Sequence, residues 1–149
     1  AFLALLIYLP LGHERLFLMG FASSFSAKLA DTFGSEIGKR WGKRTWLITS
    51  FSSVPAGTEG AISYEGTLAS LIGSIAMTIV MATLSLISGF FSIVIVILSG
   101  FLATLLESFI GACFQNRVNW LNNELVNSLQ TSIAALLAIC LSIAFNLFN

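Results

Sequence analysis

Residues 67–106 read TLASLIGSIAMTIVMATLSLISGFFSIVIVILSGFLATLL, and no charged residue interrupts them. One helix of that length would run about 60 Å, against a bilayer hydrocarbon core of about 30 Å. The Ser88-Gly89 pair supplies a break. The stretch therefore predicts two membrane helices, 67–88 and 90–111, joined as a tight hairpin. The chain leaves one membrane face, crosses, and returns to it.

The composition agrees. Of 149 residues, 56 % are hydrophobic and 9 % charged, and the mean hydropathy is +0.92. A soluble protein of this size needs more charge to cover its surface. The expected fold is all-α, a polytopic integral membrane bundle with about four to five membrane helices. One transmembrane domain, residues 1–149, is expected, and its apolar start without a Met reads either as a removed targeting segment or as a fragment that lacks upstream helices. Net charge is zero, so no nucleic-acid partner is expected. Cys113 and Cys140 fit no metal or disulfide spacing and read as small apolar fillers.

N-terminal to the hairpin the character changes. Residues 28–66 hold five of the seven basic residues and four of the seven acidic ones. Residues 16–38 predict a charged helix long enough to span. Phe21, Phe25, Leu29, Phe33 and Ile37 recur every fourth residue and predict a face toward lipid or a partner. Ser24, Lys28, Asp31, Ser35 and Gly38 share another face, where Lys28 and Asp31 are spaced to pair. Ser23, Ala27, Ala30 and Gly34 allow a neighbouring helix to come close. Residues 1–12 are too short to cross and read as the tail of a truncated helix or an interfacial piece. His13 has no second histidine with which to bind metal.

Residues 39–66 read as a polar site loop. Lys39, Arg40, Lys43 and Arg44, with Trp41 and Trp46, form a membrane-surface anchor. The same cations are candidate phosphate contacts. Pro55, Gly57, Gly60 and Gly66 mark turns, and a glycine-rich loop lets backbone N–H groups approach an anion. Beyond the hairpin, residues 112–124 read as a polar loop and 125–148 as the last membrane helix. Glu107 closes the return crossing. Asn122 or Asn123 is a plausible N-cap. Lys39, Arg40, Lys43, Arg44 and Arg117 then fall on one side and Arg15 on the other, which places the polar side in the cytoplasm or, in a plastid, the stroma.

Ala30-Asp31-Thr32, Ser35-Glu36-Ile37-Gly38, Val54-Pro55-x-Gly57-Thr58 and Gly66-Thr67 resemble the membrane family that contains phytyl-phosphate kinase and transmembrane protein 19. Glu107-Ser108-x-x-Gly111-Ala112-x-x-Gln115 and Asn123-Glu124-x-Val126-Asn127 continue the resemblance, with Glu where that family more often has Asp. It covers roughly residues 20–145. Asp31-Thr32, Ser35, Gly38-Lys39, Gly42 and Lys43 are also distantly similar in spacing to CTP-dependent phytol and dolichol kinases. The resemblance implies a kinase-like protein that converts a prenyl or phytyl monophosphate to its diphosphate with CTP, UTP or ATP. It implies a place in tocopherol biosynthesis. The expected location is a chloroplast or thylakoid membrane in a photosynthetic eukaryote, otherwise a bacterial-type or endomembrane.

Phosphoryl transfer asks for metal, cations and alignment. Asp31, Lys28 and Glu107 are the candidate catalytic residues. Asp31, with Glu36 and Glu107 as second choices, is the candidate Mg²⁺ ligand. Asp31 and Glu36 diverge by about 140° on a regular helix, so Asp31 with Ser35 or with Glu107 is the easier pair. Lys39, Arg40, Lys43, Gly57, Thr58, Gly60, Asn123 and Asn127 are candidate nucleotide and phosphate contacts. The lipid bilayer and an isoprenoid phosphate are the expected partners. The rival readings are a non-catalytic subunit of a larger, for example photosynthetic, membrane complex and a small-anion transporter. A kinase requires Asp31, Lys28, Glu107 and the Gly57 loop to meet in one open pocket.

Overall fold

The computed structural model describes residues 13–115, 118, 122–145 and 147. The expectations for residues 1–12, and those for Arg117, lie outside the described residues. Among the described residues there are four long helices: α1 (Glu14–Trp41), α2 (Tyr64–Thr83), α3 (Phe90–Ile110) and α4 (Asn123–Ala144). The fold is a helical membrane bundle. Among the described residues three helices are long and apolar enough to cross a membrane: Tyr64–Thr83, Phe90–Phe114 and Asn123–Ala144. The second of these is α3 with the π-helical turn Gly111–Gln115 that follows it. Helix α1 carries Lys28, Asp31 and Glu36 and is not among the three.

Helix α1 is central, and α2, α3 and α4 each pack against it. Its small-residue face makes this possible. Ala22, Ser23, Ser26, Ala27 and Ala30 are fully buried. The α1–α2 contact brings backbones together: a Cβ at Gly66 would lie 2.8 Å from the Gly34 carbonyl oxygen and 3.1 Å from the Gly38 Cα. Only residues without side-chain bulk permit such an approach, the small-xxx-small packing of membrane helices. Hydroxyl groups add to the packing. Ser26 and Ser74 hydroxyls are 2.8 Å apart, Ser74 donates to the Ile97 carbonyl at 2.8 Å, and Ser23 donates to the Ala134 carbonyl at 3.0 Å. Large apolar side chains point outward instead, among them Ile72, Ile79, Leu98, Leu102, Leu136 and Ile143. Lipid accommodates them without cost.

The α2–α3 break is a tight turn, as expected. It runs from Leu84 to Gly89, with Ser85 (φ 57°) and Gly89 (φ 90°) in left-handed conformations. Helix ends differ from the sequence reading, with α2 at Tyr64–Thr83 against 67–88 and α4 at Asn123–Ala144 against 125–148, and the polar loop differs most. Helix α1 runs on through Trp41, which takes Lys39 and Arg40 out of the polar loop and into its last turn. The rest of that loop contains a small antiparallel hairpin, β1 (Thr45–Leu47) with β2 (Ala61–Ser63), in the register Thr45↔Ser63, Trp46↔Ile62 and Leu47↔Ala61. Strands of three residues are too short to show alternation in a sequence window. Cys113 is half-buried and Cys140 exposed, both unbridged, so Cys140 faces outward and fills no gap.

Candidate functional site

The chain direction alternates from helix to helix. The C-terminal halves of α1 and α3 therefore meet the N-terminal turns of α2 and α4 at one end of the bundle. The β1–β2 hairpin and its loop lie across that end. Between them is an open cleft of about 370 Å³.

Helix α1 supplies its floor. Lys28, Asp31, Thr32, Ser35, Glu36 and Lys39 are spaced alternately by three and one, which keeps them on one side of the helix. The Lys28 ammonium donates to Asp31 Oδ2 at 3.0 Å and to Asn127 Oδ1 at 3.1 Å. The Asp31 side chain is 17 % exposed and that of Lys28 is 50 % exposed, so the pair sits at the cleft surface with its cation toward water. Thr104, Glu107 and Ser108 from α3, and Asn123 and Asn127 from α4, form the facing wall. Glu107 thus faces Lys28 and Asp31 across the cleft, with Ser108 beside it in the chain.

The loop from Gly57 to Ile62 and the start of α2 close the third side. Gly60 has φ +73°, and a Cβ there would lie 2.6 Å from the Ser108 carbonyl oxygen. Glycine thus presses the loop onto the end of α3, beside Glu107. Two N-caps shape the rim. Ser63 Oγ accepts the Gly66 N–H at 3.0 Å, and Asn122 Oδ1 accepts the Leu125 N–H at 2.9 Å. The N-termini of α2 and α4, the positive ends of their dipoles, accordingly face the cleft.

Most of the residues singled out from the sequence line this cleft: Lys28, Asp31, Glu36, Lys39, Gly57, Thr58, Gly60, Glu107, Asn123 and Asn127. Arg40 and Lys43 do not. On a helix Arg40 is turned 100° from Lys39, and its guanidinium lies 5.5 Å from the Trp41 ring centre. Lys43 lies beyond the helix end and is exposed. Asp31 and Glu36 both border the cleft despite their divergence, because the cleft is wide. Thr58 is already engaged, its hydroxyl donating to the Pro55 carbonyl at 2.8 Å. Among the described residues no three His, Cys, Asp or Glu side chains cluster as a metal site.

Other lining groups were not singled out as site residues: Glu59, Ser63, Thr104 and Ser108. Beneath the cleft lies Gln130, fully buried, whose Nε2 donates to the Ala27 carbonyl at 3.1 Å and to Thr104 Oγ1 at 3.0 Å. A glutamine in the middle of an apolar span was the available signal for it. With Glu59 included, the lining carries four carboxylates (Asp31, Glu36, Glu59, Glu107) against two ammonium groups (Lys28, Lys39).

Comparison with known proteins agrees with the membrane architecture. The chain is 49 % identical over 121 residues to an uncharacterized membrane protein of Synechocystis sp., covering 81 % of this chain and 46 % of the relative. It is 47 % identical over 128 residues to Protein VTE6, chloroplastic, of Arabidopsis thaliana, covering 85 % and 38 %. It is 37 % identical over 123 residues to an uncharacterized membrane protein of Methanocaldococcus jannaschii, covering 82 % and 50 %. The chain thus spans half or less of the length of these relatives. No solved structure matches it. The family model for integral membrane protein DUF92 matches residues 1–135, and the chain belongs to that family.

Proposed function

We propose that this chain forms the catalytic face of a membrane-embedded isoprenoid-phosphate kinase, which transfers a phosphoryl group from a nucleoside triphosphate to a prenyl or phytyl monophosphate. The supporting observation is the convergence of Lys28, Asp31, Glu107, Asn127 and the Gly57–Gly60 loop on one open, polar cleft at the end of a membrane bundle. An accessory subunit that kept these residues only for folding would have no need to present them in an open cleft. The resemblance noted above supplies the reaction. The relatives from Arabidopsis and Synechocystis support a plastid or bacterial membrane as its setting.

The chemistry suits such a site. An isoprenoid monophosphate is already an oxygen nucleophile, so no strong general base is required. One of its oxygens forms a bond to the γ-phosphorus as the bond from that phosphorus to the β-phosphate oxygen breaks. The products are the isoprenoid diphosphate and a nucleoside diphosphate. The difficulty is electrostatic, since two polyanions must be brought together. Lys28, held by Asp31 and Asn127, presents a fixed ammonium toward the cleft, and Lys39 adds a second. The α2 and α4 N-termini contribute positive potential without a mobile charge. The membrane faces outside the cleft suit an isoprenoid tail.

The donor set also fits Mg²⁺. With four carboxylates facing two ammonium groups, the cleft repels a bare polyphosphate and attracts a hard divalent cation. Mg²⁺ characteristically uses one or two protein carboxylates with phosphate oxygens and waters, so a cluster of three ligands is not needed. Asp31 and Glu107, from different helices, are the proposed ligands, with Glu36 or Glu59 at the margin. When bound, the ion neutralises phosphate charge as it develops.

The test is an assay on membranes that contain the full-length protein, supplied with phytyl monophosphate and CTP, UTP or ATP in the presence of Mg²⁺. Diphosphate formation above that of membranes lacking the protein is expected. Its absence with all three donors would overturn the kinase reading.

A further inference from the structure

We propose that the end of the bundle opposite the cleft carries a second anion site, which takes the phosphate of a membrane phospholipid in that leaflet. A cavity of about 210 Å³ lies there between the first turn of α1, the 84–89 turn and the first turn of α3. Arg15, Ser85, Ser88 and Ser92 give it polar groups, and Leu18 and Met19 line it with apolar surface.

Three observations point to a phosphate. First, Ser92 is 5 % exposed, lines the cavity, and makes no hydrogen bond among the described residues. Thr78, Thr104 and Ser142 return their hydroxyl to the carbonyl four residues back, and Ser23 and Ser74 bond carbonyls of neighbouring helices. Ser99 is also unpartnered among the described residues, but it is fully buried and lines neither the cleft nor this cavity, whereas Ser92 lines the latter. Ser92 stands in the first turn of α3, where no such helical carbonyl precedes it, and its hydroxyl is left for a ligand. Second, Arg15 forms no ion pair or hydrogen bond among the described residues. Third, the helix N-termini at this end lack side-chain caps. His13 and Gly89 make no capping bond, whereas Ser63 and Asn122 at the cleft end do. The Leu16 N–H on α1 is already bonded to the His13 carbonyl at 3.0 Å, so among the described residues the free backbone donors at these positive dipole ends are the N–H groups of Glu14 and Arg15 on α1 and of Phe90, Phe91 and Ser92 on α3.

The chemistry selects the ligand. Among the described residues no carboxylate lines the cavity, and Glu14, turned 100° from Arg15 on α1, stays outside it. A cation has nothing to bind there. A phosphate oxygen set can accept from a guanidinium, hydroxyls and backbone N–H groups together. Exposed Leu84, Phe90 and Phe91 border the same end. They favour a ligand that carries acyl chains over a freely diffusing anion.

The experiment uses the full-length protein in a phosphate-free nonionic detergent, with thermal unfolding and native mass spectrometry as readouts. Phosphatidylglycerol, a phosphate-free glycolipid and inorganic phosphate are titrated separately. Phosphatidylglycerol is expected to bind saturably and raise the melting temperature, and the glycolipid to do neither. Arg15→Gln is expected to weaken phosphatidylglycerol by roughly tenfold, and Ser92→Ala by about threefold. Should Arg15→Gln fail to fold, Arg15→Lys and the rim variant Ser85→Ala keep the question open to measurement, each with a smaller loss. Arg15-dependent binding of inorganic phosphate without phosphatidylglycerol binding would overturn the lipid assignment. Equal lipid affinity in the wild type, Arg15→Gln and Ser92→Ala would overturn the site.

Discussion

Helices α1 and α3 invert the pattern of a soluble protein. Helix α1 carries five charges in its second half, Lys28, Asp31, Glu36, Lys39 and Arg40, and yet it is the helix the others surround. Helix α3 has one charge, Glu107, and shows Phe90, Phe91, Leu98, Leu102, Leu106 and Phe109 on its outer side. In water the apolar helix would take the centre. In a bilayer apolar side chains gain nothing by leaving lipid, while a charge there is expensive. The central place goes to the helix whose small residues permit close contact and whose polar residues need shelter. Function follows the same division: α1 furnishes the cleft floor, and most of α3 furnishes surface.

The sharpest way to test that division is at the α1 charges. Lys28→Ala and Asp31→Asn are each expected to lower the initial rate of diphosphate formation by about a hundredfold or more, the scale for losing a preorganised charge at a phosphoryl-transfer site. Leu102→Ala, on the outer side of α3, is expected to leave the rate unchanged. Because Lys28 and Asp31 are bonded to each other at 3.0 Å, the double variant is expected to lose less than the product of the single losses. Wild-type rates in either single variant would mean the ion pair serves only the fold.

Packing gives the next effect in size. Gly66→Val would drive a Cβ to 2.8 Å from the backbone oxygen of Gly34, where no side chain can swing away. Overpacking of this kind costs about 1–3 kcal/mol, measurable as a lowered melting temperature in detergent. Leu98→Ala on α3 removes as many atoms as Gly66→Val adds, yet is expected to cost under about 0.5 kcal/mol, since its side chain lies 45 % exposed on the outer face. Equal losses would show that the outer face of α3 is covered in the working assembly.

These contrasts also explain what was legible in the sequence. The hairpin was visible because hydropathy and the Ser88-Gly89 break are local signals. The small-residue face of α1 was visible for the same reason, as a spacing along one helix. Lys28, Asp31, Glu107, Asn123 and Asn127 stood out because charge or amide groups beside apolar spans are costly and so informative. Their meeting in one cleft was an expectation that needed four helices to alternate in direction. Arg40 was drawn in by charge alone, and the helix running on through Trp41 turned it away. The β1–β2 pairing was invisible, because three-residue strands are held by partners fourteen or more residues distant, as Leu47 is by Ala61. Thr104 entered the site only through tertiary placement.

Gln130 joins the two helices of the comparison and carries the subtlest test. Its Nε2 donates to Ala27 on α1 and to Thr104 on α3, while its Oε1 is buried with no hydrogen-bond partner among the described residues. Reversing the amide would set its oxygen against the Ala27 carbonyl, so the orientation is fixed by its partners. Gln130→Leu removes two hydrogen bonds, worth about 0.6 kcal/mol each between membrane helices. It also removes an unsatisfied acceptor, whose burial costs about 1–3 kcal/mol. The two effects oppose each other, and the melting temperature is expected to move by the equivalent of less than about 1 kcal/mol, in either direction. Gln130→Ala keeps neither the bonds nor the volume, so it is expected to be the less stable variant by about 2 kcal/mol. If Gln130→Leu proved as damaging as Gln130→Ala, the Oε1 would have a partner such as an ordered water. The buried amide would then be a working part of the α1–α3 contact and not a tolerated cost beneath the cleft.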